Sequence, residues 1–241
     1  MGDLADDLAP TGVLRAAVNL GNPVLAHGTP DAPGGVTVDL AREVAARLDV
    51  PVEFVCFDAA RKSFEALTSD AADLCFLAIE PARAASVAFT APYVVIEGVY
   101  VVPEDSPFGS PADVDRPGVR VGVKQGSAYD LFLTRTLAHA TVVRGPDGVV
   151  AFEEQGLEVA AGIRQPMTAY VAGHPGTRVL PERFMQIQQA VGTTPARRPA
   201  TVAFLRELVE ELKANGFVAD ALRRANQPDA TVAPPALSTD G

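Results

Sequence analysis

Apolar residues occur in two patterns along the chain. Short continuous apolar runs alternate with longer stretches in which an apolar residue recurs every three or four positions. Runs rich in β-branched and aromatic residues predict strands, and the longer repeat predicts amphipathic helices. In the first part of the chain, strands are predicted over 13–20, 51–57 and 71–79 and helices over 36–50 and 61–69. This order predicts a parallel sheet with helices on both faces.

A second set of elements with the same order occupies the rest of the chain. A helical finish follows it, with Gly216 as the expected break between two helices. The predicted strands and extended segments are 117–123, 140–145, 157–163, 178–181 and 184–192, and the helices are 127–140, 148–155 and 201–226.

The segment "SVAFTAPYVVIEGVYVVP", residues 86–103, connects the two sets. It is long, apolar and extended, which predicts a stiff strand that crosses between two lobes and not a flexible Gly/Ser linker. Lobe 1 is predicted to contain residues 1–98 and 192–241, and lobe 2 residues 99–191. A single larger α/β domain is the alternative interpretation.

Composition narrows the possible partners. The chain has 241 residues, 48% of them hydrophobic, and a formal net charge of −10. Nucleic acid and anionic membrane surfaces repel such a chain. The acidic start, "MGDLADDLAPTG", lacks the basic and apolar regions of a secretory signal peptide, and we expect no membrane-spanning segment. The tail, residues 226–241, is rich in Pro, Ala, Thr and Asp and is expected to be disordered or loosely docked.

Four motifs in order resemble the family 3 extracellular solute-binding proteins, the receptors of polar amino acid ABC transporters. They are "LRAAVNLGNP", "GVTVDLAREVAARLDVPVEFV", "AADLCFLAIEPARAASVAFTAPY" and "VGVKQGSAYDLFL". The resemblance covers roughly residues 12–225. It implies the α/β type 2 periplasmic-binding-protein fold, in which two lobes, each a mostly parallel sheet flanked by helices, are joined by a two-strand hinge. In that fold the first strand separates Cys56 from Cys75, so free thiols are expected.

The resemblance assigns two residues to anion binding in the cleft between the lobes. Arg83, in "EPAR", matches the arginine that binds the ligand carboxylate, and a planar guanidinium fits a carboxylate in bidentate fashion. A neighbouring helix N-terminus adds N–H donors. Ser127 matches a hydroxyl residue that contacts the same group; it is also a natural helix N-cap, and both roles are compatible.

Other matching positions depart from the family pattern. Phe76 and Ala78 replace two hydroxyl residues, and Asn19 replaces an acidic residue. The aspartate that holds the ligand ammonium in the family matches Ile163 or Arg164, where no carboxylate occurs. These departures predict an acid without an ammonium group, with Phe76 and Ala78 providing an apolar surface.

Further charged residues are candidates for ligand binding. Lys62 follows a strand end, where open α/β sheets bind ligands. Lys124 either lines the cleft or is solvated. Glu97 lies in the crossover strand, where a carboxylate needs a partner, and Arg164 or Lys124 is the expected cation. That pair either contacts ligand or serves only structure.

The interpretation is a solute-binding protein that binds a small carboxylate-bearing ligand, with no catalytic residues, cofactor or metal. Its expected partner is the permease of an ABC transporter, by resemblance, and it is expected to be a monomer outside the cytoplasm. The alternative is a cytoplasmic enzyme similar to cyclohexadienyl dehydratase, or an intracellular ligand sensor. The stretch "RQPMTA", residues 164–169, lacks the carboxylate that such an enzyme needs.

Overall fold

Strands and helices alternate along the chain in a computed structural model, which describes residues 2–237. The strands are β1 Leu14–Asn19, β2 His27–Thr29, β3 Ala32–Gly34, β4 Val52–Phe57, β5 Leu74–Ala78, β6 Ala88–Pro103, β7 Arg120–Lys124, β8 Thr141–Gly145, β9 Val159–Ile163, β10 Thr177–Val179, β11 Met185–Thr193 and β12 Thr231–Val232. The helices are α1 Gly2–Leu8, α2 Val36–Leu48, α3 Ala60–Thr68, α4 Pro81–Ala84, α5 Ala128–Thr136, α6 Gly148–Gln155, α7 Arg164–Gly173, α8 Pro199–Ala214 and α9 Phe217–Arg224.

The chain divides into two compact units. Unit 1 contains the described residues up to Val95 and from Gln188 onward, and unit 2 contains Ile96–Ile187. The chain passes from one unit to the other within β6 and within β11. The predicted α/β fold class is confirmed.

The sheet of unit 1 places β1 between β4 and β5, and all three strands are parallel. β11 joins antiparallel to β5, with Gln189 opposite Ala78. Helix α3 packs Ala66 and Leu67 into a core cluster that also contains Leu77 of β5. Since β1 separates Cys56 of β4 from Cys75 of β5, both cysteines are free thiols, as predicted.

The sheet of unit 2 repeats this plan, with β7 between β8 and β9 and all three parallel. The second half of β6 pairs antiparallel with β9, so that Gly98 lies opposite Ile163. β10 pairs antiparallel with residues 101–103 of β6. Ala151 and Phe152 of α6 pack with Val101 and Ala160 in the core of this unit.

A buried carboxylate joins the amino-terminal ends of two neighbouring strands in unit 1. The side chain of Asp73, just before β5, is fully buried. Its Oδ2 accepts hydrogen bonds from N and Nε of Arg15 on β1, at 2.9 and 3.0 Å. Its Oδ1 accepts from Nη2 of Arg15 at 2.8 Å and from Nη2 of Arg197 at 3.0 Å. Asp73 therefore joins β1, β5 and the approach to α8.

Unit 2 uses the same arrangement at a more exposed position. Glu158, just before β9, accepts hydrogen bonds from N and Nε of Arg120 on β7, at 2.8 and 3.0 Å. Nη2 of Arg120 donates to the second carboxylate oxygen at 2.9 Å and to the carbonyl of Gly156 at 2.7 Å. The Glu158 side chain is 37% exposed, whereas that of Asp73 is 0% exposed.

The structure contains elements that the sequence analysis missed, namely α1, the β2–β3 hairpin, α7 and β12. The tail was expected to be disordered or loosely docked, but its described part contains the strand β12. β12 pairs antiparallel with β6, placing Thr231 opposite Val95. The Lys213 side chain, 4% exposed, donates to the carbonyls of Pro92 and Pro234 at 3.2 and 2.9 Å. Residues 238–241 lie outside the described range. The predicted break at Gly216 is confirmed, because this residue adopts a φ of +86°.

We expect Asp73→Ala to lower the free energy of unfolding far more than Glu158→Ala. Removal of the fully buried Asp73 leaves the partly buried guanidinium groups of Arg15 and Arg197, 20% and 11% exposed, without this acceptor, and breaking such a pair costs about 3–5 kcal/mol. Glu158 is part of an exposed pair, and such pairs contribute about 0–1 kcal/mol. Urea unfolding followed by circular dichroism measures both variants against the wild type. Equal losses would show that burial does not set the strength of this interaction.

Candidate functional site

Arg83 lies in α4, directly after the carboxyl end of β5. It is only 3% exposed, and its Nη1 donates to the Ala78 carbonyl at 3.1 Å. The preceding Glu80 is also 3% exposed. Burial lowers the pKa of Arg83, and the neighbouring Cys75 and Glu80 oppose that shift. Because guanidinium remains protonated in proteins, Arg83 is a buried cation at this end of the sheet.

Phe76 and Ala78 are nearly fully buried on β5, at 4% and 2% exposure. The Phe76 ring meets the ring of Tyr93 edge-on, with centroids 6.4 Å apart. Phe76, Ala78 and Arg83 thus all lie in the last three residues of β5 or in α4. Neither strand side chain carries a hydroxyl group, as the sequence indicated.

A cavity of about 390 Å³ opens at the carboxyl ends of β1 and β4 in unit 1. Lys62 of α3 lines it, and its Nζ lies 2.7 Å from Oδ1 of Asp58. Asn19, the last residue of β1, uses its Oδ1 to accept from the Gly21 N–H at 2.9 Å, which shapes the adjoining turn. The cavity is lined by Leu20, Gly21, Pro30, Cys56, Phe57, Asp58 and Lys62.

In unit 2, Ser127 is the N-cap of α5. Its Oγ accepts from the Asp130 N–H at 3.0 Å, and the Gly126 N–H donates to Oδ2 of Asp130 at 2.8 Å. Ser127 is 8% exposed. The N-cap role is confirmed, and ligand contact stays a prediction. Lys124, the last residue of β7, is half-buried beside this turn.

Glu97 and Arg164 form an ion pair, which confirms that a cation neutralises this carboxylate. Nε of Arg164 donates to Oε2 of Glu97 at 2.5 Å. Nη1 of Arg183 donates to the other oxygen at 3.1 Å. The pairing of β6 with β9 brings Glu97 and Arg164 together, since Gly98 and Ile163 are opposite each other. Glu97 therefore has a cation on each oxygen.

The sequence of the chain matches the model of the bacterial extracellular solute-binding proteins, family 3, over residues 14–225. This chain belongs to that family. Comparison with curated protein sequences gave no match. None of the described helices is both long and apolar enough to span a membrane.

Several solved structures share this fold. The cysteine-binding protein from Campylobacter jejuni has a TM-score of 0.75 at 19% identity, covering 97% of this chain and 100% of its own. The amino acid ABC transporter substrate-binding protein AbpA from Streptococcus pneumoniae, bound to L-arginine, has 0.74 at 17%, covering 90% and 96%. The ancestral amino acid-binding protein AncCDT-1, a precursor of cyclohexadienyl dehydratase, has 0.72 at 21%, covering 93% and 99%.

The sequence analysis missed three charged partners in this solute-binding protein. Asp58 lies four residues before Lys62, and that helical spacing was a usable signal. Glu80 immediately precedes α4, three residues before Arg83, and its burial had no local signal. Arg183 is 86 positions from Glu97. Only the tertiary structure reveals such a contact.

Glu97 makes the stability of unit 2 depend on pH. Burial raises the pKa of Glu97. Hydrogen bonds and charges from Arg164 and then Arg183 together lower it by more, so the net shift is downward from 4.5. A carboxylate with a depressed pKa stabilises the fold above its unfolded-state pKa, and this contribution is lost as pH falls through the folded-state value.

We therefore expect Glu97→Gln to destabilise the protein at neutral pH, with a smaller difference from the wild type below about pH 4. Urea unfolding at neutral and acidic pH measures this change. Glu154→Gln, at an exposed position on α6, is the matched control. A Glu97→Gln deficit that is the same at both pH values would contradict the role of the carboxylate charge.

Proposed function

We propose that this solute-binding protein is the receptor component of an ABC transporter and that Arg83 binds the carboxylate of its small ligand. The observation that carries the proposal is the buried Arg83, placed after β5 within the part of the chain that matches the family. The planar guanidinium group of an arginine can bind a ligand carboxylate through charge-assisted, bidentate hydrogen bonds. Family membership supports the permease as the partner and a location outside the cytoplasm.

The charge of the candidate residues favours an acid without an ammonium group. Of the residues predicted from the sequence, four are cations and only Glu97 is acidic. Arg164 and Arg183 bind both of its oxygens. Arg83 and Lys62 would repel an ammonium group, and the carboxylates beside them, Glu80 and Asp58, already interact with these two cations. Phe76 and Ala78 also lack the hydroxyl groups that would help to solvate a polar ligand.

We propose binding without catalysis. General acid–base catalysis needs a positioned proton donor or acceptor, and α7 contains no Asp or Glu. AncCDT-1 is itself described as an amino acid-binding protein, although it is a precursor of an enzyme. The cysteine-binding protein and arginine-bound AbpA make free amino acids the competing ligand class, which the same experiment tests.

Arg83→Ala is expected to abolish most of the ligand affinity and to leave folding intact. A thermal-shift screen of amino acids against matched keto, hydroxy and dicarboxylic acids identifies the ligand class, because a bound ligand raises the melting temperature. Loss of the guanidinium group that pairs with the ligand carboxylate should cost about 2–5 kcal/mol of binding free energy, which calorimetry measures. Arg61→Ala, on α3 with a side chain that is 41% exposed, is the control. Unchanged affinity in Arg83→Ala would remove this residue from the site, and a stabilising shift with amino acids alone would refute the ligand class.

Cys56 provides an independent reporter, since its thiol lines the cavity of unit 1. Cys75 is fully buried, and burial raises its pKa to about 12. Iodoacetamide should therefore label Cys56 in the native protein and Cys75 only in urea, as read by mass spectrometry. We expect a ligand that raises the melting temperature to slow labelling of Cys56. An unchanged labelling rate would place the ligand away from this cavity, and Cys56→Ser confirms which thiol reacts.

A further inference from the structure

The wall of the cavity in unit 1 has no net charge. Of the described residues that line it, only Asp58 and Lys62 are ionised, and their Oδ1 and Nζ atoms lie 2.7 Å apart. Arg61, one residue before Lys62, pairs with Glu65 and does not line the cavity. Burial raises the pKa of the Cys56 thiol, so this group is uncharged at neutral pH. The charges of the wall therefore cancel.

The turn after β1, which forms part of this wall, uses its backbone donors within the protein. The Leu20 N–H donates to the Phe57 carbonyl at 2.7 Å, and the Gly21 N–H donates to Oδ1 of Asn19 at 2.9 Å. Anion sites in turns are made by successive backbone N–H groups that point at the anion. Because these two donors already have acceptors, the turn does not offer them to an anionic ligand.

The remaining part of the wall is apolar and leaves room for a ring. Leu20, Pro30, Cys56 and Phe57 line a volume of about 390 Å³. A cavity of about 150 Å³ is enough for benzene. The Phe57 ring adds a surface on which a second ring packs favourably. A charged group against this wall would lose hydration without gaining an opposite charge, since Asp58 and Lys62 neutralise each other.

We infer that this cavity binds a small ring without a charged substituent, packed against Leu20 and Phe57. The ring displaces water from the apolar wall, which is favourable, and the ion pair of Asp58 with Lys62 stays intact. The inference goes beyond the proposed function and does not depend on it, because Arg83 is not among the residues that line this cavity.

Three probes that share one ring test the inference on the full chain. Benzyl alcohol is neutral, benzylamine is cationic and benzoate is anionic at neutral pH. Protection of Cys56 from iodoacetamide and NMR titration of the backbone amides measure binding at low ionic strength. We expect benzyl alcohol to bind about tenfold more tightly than either ion. It should also shift the amide signals of Leu20 and Gly21.

Two variants change the charge balance of the wall in opposite directions. Lys62→Met leaves a net negative charge, so benzylamine should become the tightest probe. Asp58→Asn leaves a net positive charge, so benzoate should become the tightest. Arg61→Met, outside the cavity, should retain the preference for benzyl alcohol. Melting temperatures without probe check that each variant folds, and a loss of packing alone would not reverse the preference in both directions.

Several results would overturn the inference. It is wrong if benzyl alcohol gives no saturable protection of Cys56 and no saturable amide shifts, or if the wild type binds either ion as tightly. It is also wrong if Lys62→Met and Asp58→Asn keep the ranking of the wild type, because charge balance would then not select the ligand. The proposed function is decided separately, by the affinity of Arg83→Ala for carboxylates.

Discussion

Unit 1 depends on one buried carboxylate. Asp73 is fully withdrawn from water and satisfies donors of Arg15 and Arg197, while its own carbonyl accepts from Oγ1 of Thr193 at 2.8 Å. A charge in such a place is tolerated only with partners on every oxygen, so the positions of β1, β5 and the start of α8 are tied to one another. The contact joins the amino-terminal ends of both strands, in agreement with their parallel pairing.

The two ends of the sheet in unit 1 carry different charged groups. The amino-terminal end carries Asp73 and Arg15, whose hydrogen bonds are complete. The carboxyl-terminal end carries the buried Arg83, the Lys62–Asp58 ion pair and the cavity. The proposed ligand site therefore lies about a strand length away from this ionic contact.

Unit 2 contains a similar ionic contact at a more exposed position. Arg120 and Glu158 join β7 to β9 as Arg15 and Asp73 join β1 to β5, down to the backbone N–H that donates to the same carboxylate oxygen. Water reaches Glu158 but not Asp73, so the same set of bonds contributes less there. Elsewhere in unit 2, Glu97 accepts from both Arg164 and Arg183.

The sequence by itself determined the main strands and helices, the fold class, the place of Arg83 after β5 and the N-cap role of Ser127. These features depend on periodicity and on local motifs, which a short stretch of chain contains completely. Only the tertiary structure decided that Arg183 joins Arg164 on Glu97 and that β12 pairs with β6. Helix α7 was missed because it begins directly after β9 and has Pro166 in its first turn, where proline is tolerated but resembles a break. Contacts between distant residues arise from strand register and burial, and no local pattern encodes either of them.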